Sequence, residues 1–99
     1  MFELKFALAA DQQLKILEKN PAKTGLVKQI KKTLGYLQTN PKHPSLKTHL
    51  YDSILHPFNA QEKVFEAYAQ NNTPAAYRIF WCYGPEKRQI TVIAMTAHS

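Results

Sequence analysis

The spacing of apolar and polar positions changes several times along the chain, and each change marks an element. Residues Phe2 to Leu8 alternate imperfectly and predict a first strand, because a period of two sends successive side chains to opposite faces. From Ala9 to Asn20 the spacing becomes helical, with Leu14, Ile16 and Leu17 apolar and Asp11 near the positive end of the helix dipole. Asn20-Pro21 breaks that helix. A second one is predicted from Ala22 to Leu37, where Leu26, Ile30, Leu34 and Leu37 form one apolar stripe and Lys23, Lys28, Lys31 and Lys32 fall largely off it. Pro41 and Pro44 each remove a donor and push the preceding residue towards an extended conformation, so the chain turns there.

Beyond the turn the pattern is β. A short strand is predicted within Leu46 to Ile54 and another over Lys63 to Gln70, with Val64, Glu66 and Tyr68 on one face and Phe65, Ala67 and Ala69 on the other. Asn71 to Ala75 carry turn chemistry, Tyr77 to Tyr83 form the next strand, and a turn containing Pro85 leads to a final strand over Ile90 to Thr96. The expected fold is α+β: an N-terminal strand and a two-helix hairpin packed on one face of a mostly antiparallel sheet of about four strands. The other sheet face is expected to be free. The 99 residues suit one domain, 1–99, with no internal repeat.

Arg78 stands out in this pattern. In the strand Tyr77 to Tyr83 it shares a face with Phe80 and Cys82, and a guanidinium buried there without an acceptor costs several kcal/mol. Either a carboxylate in the fold answers the charge, with Glu66 on the neighbouring strand as the candidate, or an anionic ligand does.

The charge distribution adds a second cue. The net charge is +6, and residues 1–50 hold nine lysines against three acids while the remainder is balanced. Such a surface attracts phosphates or an acidic partner protein. No apolar run approaches the length of a membrane span, and the N-terminus lacks the features of a signal peptide, so a cytoplasmic location is expected. The single Cys82 forms no disulfide within the chain and reads as a buried thiol. His43, His49, His56 and His98 match no compact zinc spacing, and the three glycines form no phosphate loop, so neither a metal nor a small-molecule cofactor is expected.

The segments HPSLKTHL, VFEAYA, AYRIFWCY and ITVIAMTAHS resemble, in order and spacing, the second half of RelE/ParE-superfamily toxins of bacterial type II toxin–antitoxin systems. That resemblance implies a RelE-like fold, a cognate antitoxin protein as partner, and inhibition of translation by metal-independent cleavage of mRNA on the ribosome. It implies catalytic roles for Arg78 on the phosphate, His98 in proton transfer and Lys47 on the RNA backbone. His49 and Lys42 would extend the RNA path, and Lys28, Lys31 and Lys32 would offer a basic face to RNA or to the antitoxin.

The sequence also departs from the superfamily pattern. Only Ser99 follows His98, where several active members carry aromatic or basic residues, and Asp52, Glu62 and Glu66 thin the positive charge before Arg78. These departures keep an alternative open: a non-nuclease binding protein of the same fold, either a ParE-like DNA gyrase inhibitor or a partner-binding module.

Overall fold

The computed structural model describes residues 1–71 and 73–97. Strand β1 (Glu3–Phe6) leads into helix α1 (Leu8–Glu18), a 3-10 turn at Pro21–Lys23 and helix α2 (Thr24–Thr39). The Asn20 side chain accepts from the Ala22 amide at 3.0 Å and Pro21 takes the first helical position, so the chain re-enters helix through a tight turn. For that reason α2 begins at Thr24 rather than Ala22.

After α2, a second 3-10 turn spans Pro44–Leu46, with His43 Nδ1 accepting from the Ser45 amide at 3.0 Å. Lys47 then adopts a left-handed conformation, with φ at 48°. These two features consume most of the expected strand from Leu46 to Ile54, and only β2 (His49–Leu50) remains. Strands β3 (Phe65–Tyr68), β4 (Tyr77–Tyr83) and β5 (Gln89–Ala97) complete the sheet. Its order is β1-β5-β4-β3-β2. Five strands are present, against the expected four or so, because β1 joins the edge beside β5 in parallel; the other pairings are antiparallel.

The helices pack on one sheet face, as expected. Ala10, Leu17, Ile30, Leu34 and Leu37 meet Ile79, Trp81, Ile90, Val92 and Met95 there, and each large side chain so buried contributes roughly 1.5–3 kcal/mol. Ile79 lies opposite Met95 while Trp81 lies opposite Val92, so β5 carries one extra residue at this point. This bulge explains why the inward residues of β5 do not follow a strict period of two.

The other sheet face is not free along its whole length. Residues 51–64 fold back over the part of it that carries Phe80 and Cys82, with the Tyr51 and Phe80 ring centroids 4.5 Å apart. His56 anchors this segment: its Nε2 donates to the Tyr83 carbonyl at 2.8 Å, while Nδ1 accepts from the Phe58 and Asn59 amides at 3.1 and 3.2 Å. Gly84, whose φ of 111° favours glycine, keeps the adjoining backbone close to the His56 ring. Replacing His56 by alanine removes three hydrogen bonds from a buried ring and is expected to cost about 2 kcal/mol. Thermal melts check this, and amide exchange at Phe58 and Asn59 should accelerate more than at core positions of β4.

Candidate functional site

The register of the three strands β2, β3 and β4 assembles a polar cluster on the face away from the helices. Glu66 lies directly opposite His49 on β2, and Arg78 lies diagonally across from Glu66, paired with Tyr68. Same-face neighbours at these positions are within side-chain reach. One Glu66 oxygen contacts His49 Nε2 and the other accepts from Arg78 Nη1. The carboxylate is almost fully buried, with 3% of its side chain exposed, against 13% for Arg78 and 52% for His49.

Glu66 therefore answers the charge of Arg78. The guanidinium also lies over two rings, 5.1 Å from the Phe80 centroid and 5.9 Å from that of Tyr51, a favourable placement for a cation. Its Nε is buried and has no hydrogen-bond partner. One donor is thus engaged by Glu66 and the group retains capacity to bind a further acceptor.

His49 is held on both sides. Nδ1 lies 3.1 Å from the Lys47 carbonyl, and Nε2 meets the Glu66 carboxylate. Both partners are acceptors, so each ring nitrogen faces a hydrogen-bond acceptor. Lys47 adds a cation at the margin of the cluster. Together with Tyr68 and Ala76, Lys47 and His49 border an open groove of about 570 Å³, and the His49 ring stands 5.6 Å from that of Tyr68.

The structure places the other sequence-derived candidates elsewhere. Lys28, Lys31 and Lys32 lie on α2, on the helix side of the sheet, and are not gathered near Arg78. Lys31 pairs with Glu18 of α1 at 2.9 Å, and the Lys32 ammonium sits 5.9 Å from the Tyr36 ring centroid. Lys42 borders a separate groove with Lys47. His98 lies outside the described residues. Sequence reasoning treated Glu66 only as a partner for Arg78 and missed its second contact, to His49. The available signal was the single acid in the strand VFEAYA, at a position that alternates with the core-facing Phe65 and Ala67.

Cys82 shares that face but not that chemistry. Burial raises its thiol to about 11, which keeps it neutral and unreactive at ordinary pH. Iodoacetamide at pH 8 should therefore label it only after unfolding. The folded-state value lies above the ordinary thiol value of 9.0, so this thiol's contribution to stability is complete below pH 9 and is lost as pH rises towards 11.

Among the described residues, no group of three or more His, Cys, Asp or Glu side chains is arranged to hold a metal ion. None of the described helices is long and apolar enough to cross a membrane. No protein-family model matches the sequence and no curated protein matches it. Solved structures do match. A YoeB/ParE toxin from Agrobacterium tumefaciens aligns at a TM-score of 0.68 and 12% identity, over 99% of this chain and 100% of that one. The chain has the RelE/ParE toxin fold. A chain of the archaeal RelE-RelB complex from Pyrococcus horikoshii OT3 aligns at 0.64 and 10% identity, covering 97% of this chain and 93% of the other. The intact E. coli RelBE toxin-antitoxin complex supplies a third match, at 0.64 and 16% identity over 100% and 99%. The three alignments each cover nearly the whole chain, so the likeness of fold extends over the helical hairpin and the sheet together.

Proposed function

We propose that the protein is the toxin of a toxin–antitoxin pair and a RelE-like endoribonuclease that cleaves mRNA on the ribosome without a metal. The observation that carries this reading is Glu66, buried and bridging His49 and Arg78 beside an open groove bordered by His49 and Lys47. Attack of an RNA 2′-hydroxyl on the adjacent phosphate needs a proton acceptor, a proton donor for the leaving oxygen and positive charge for the transition state. His49 is the exposed member of the cluster and exchanges the proton, with Glu66 holding its ring and balancing its charge. Arg78 uses donors left free by Glu66 to hold phosphate oxygens from a rigid strand. Lys47 steers the backbone, Lys42 lies further along its path, and His98 remains the superfamily-based second candidate for proton transfer. A cognate antitoxin is the expected protein partner, drawn by the basic α2 face that includes Lys28 and Lys32.

The internal pairing of Arg78 with Glu66 favours a second reading, in which the fold binds a protein target such as DNA gyrase and no RNA is cut. Pulse-labelling after induction in bacterial cells separates the two. Loss of methionine incorporation before any loss of thymidine incorporation is the result expected for the nuclease. The reverse order supports the gyrase reading.

A further inference from the structure

A second groove, of about 500 Å³, lies between the turn formed by residues 41–48 and the helix-side surface of β3 and β4. Two side chains that border it contain buried polar atoms with no hydrogen-bond partner: Trp81 Nε1 and Thr48 Oγ1. Trp81 is 1% exposed, and a buried unpaired group of this kind ordinarily costs about 1–3 kcal/mol. Lys42 and Lys47 border the same groove, and among the described residues neither ammonium pairs with a carboxylate. An indole N–H only donates, a hydroxyl can donate, and the two lysines supply positive charge. The complementary occupant brings negatively charged acceptor oxygens.

The walls narrow the choice further. Phe65 is stacked on Trp81 at 4.8 Å, and Tyr83 stands edge-on to both rings at 5.9 and 5.1 Å. The aromatic faces are largely used on one another, which leaves little platform for a nucleobase. Pro41, Pro44 and Phe65 instead offer an apolar lining for aliphatic side chains. We propose that this groove docks an acidic side chain from an apolar-flanked segment of a partner protein. The carboxylate accepts from Trp81 Nε1 and Thr48 Oγ1, between Lys42 and Lys47. The groove shares Lys42 and Lys47 with the proposed RNA path, but Trp81 and Thr48 belong to it and not to the Glu66 cluster, and a titration read at the Trp81 indole reports on it whether or not RNA is cleaved.

The chain has one tryptophan, so its indole N–H gives one identifiable signal in a ¹H–¹⁵N spectrum. The full-length protein is titrated with a pentapeptide carrying a central glutamate between leucines, and with the same peptide carrying glutamine. The expected result is a saturable indole shift with the glutamate peptide, binding about tenfold weaker for the glutamine peptide, and about threefold weaker for each of Lys42→Ala and Thr48→Val. Lys42 is exposed and its loss leaves the fold intact, which the rest of the spectrum verifies. An unmoved indole signal, equal responses to the two peptides, or binding unchanged in both variants would overturn the proposal and leave a hydrated groove. Tighter saturation by an RNA tetranucleotide than by the glutamate peptide would overturn it in favour of nucleic acid.

Discussion

Glu66→Gln is expected to destabilise the fold by about 3 kcal/mol. Removing the charge leaves Arg78, with only 13% of its side chain exposed, without its counter-ion, and breaking a buried pair from one side typically costs about 3–5 kcal/mol. For a domain of this size that corresponds to a fall in melting temperature of roughly 15 °C. Removing both charges has a different consequence. In a Glu66→Leu, Arg78→Met double variant no buried charge is left unpaired, and the double variant should melt above the Glu66→Gln single variant. Circular dichroism melts of the two proteins decide the matter: a single variant melting within a few degrees of the parent would show that solvent, not Glu66, satisfies Arg78.

His49→Ala is expected to separate activity from stability. His49 is half exposed and its contact with Glu66 is one of two that the carboxylate makes, so the substitution should change stability by less than about 1 kcal/mol. Loss of a group that transfers a proton in the transition state lowers cleavage by about 10²-fold or more. Measured together on folded protein, an unchanged melting temperature with a hundredfold loss of cleavage supports proton transfer by His49. Full cleavage by the alanine variant would remove it from the chemistry.

The parts of this molecule that the sequence made legible are those in which one element's own pattern decides the outcome. The Leu26, Ile30, Leu34 and Leu37 stripe specifies α2 and its buried face, and the alternation of Phe65 to Tyr68 and Tyr77 to Tyr83 specifies which side chains share a sheet face. The candidate Arg78 and its potential partner Glu66 followed from that alternation. The Glu66 bridge did not, because it depends on register between strands joined by long connections. His49 reaches Glu66 only because the 3-10 turn at Pro44–Leu46 and the left-handed Lys47 set where β2 begins. Proline at 44 signalled a turn but not its length. Coverage of Phe80 and Cys82 by residues 51–64 was equally hidden, since it rests on His56 reaching a carbonyl 27 positions away. The β5 bulge and the parallel addition of β1 are likewise properties of pairs of strands rather than of either strand alone.

Lys31 illustrates the reverse case, in which a correctly located residue has a nearer partner. Its position off the apolar stripe of α2 was legible, and the basic face was a reasonable candidate for an anionic ligand. The structure gives its ammonium to Glu18 of α1, an exposed pair of the kind worth at most about 1 kcal/mol. Such a pair is readily exchanged for a carboxylate of an acidic partner. Lys28 and Lys32 have no carboxylate partner among the described residues, and they leave most of the positive charge of this face available.

The most direct test of the Glu66 cluster as a nuclease site is primer-extension mapping of mRNA ends in a translation reaction, with and without ribosomes, comparing the protein with its His49→Ala variant. New ends at codon-spaced positions that require ribosomes and are lost with the folded variant are the predicted result. Folded parent protein that leaves the mRNA intact on translating ribosomes would contradict the assignment and return the Arg78–Glu66 pair to a purely structural role.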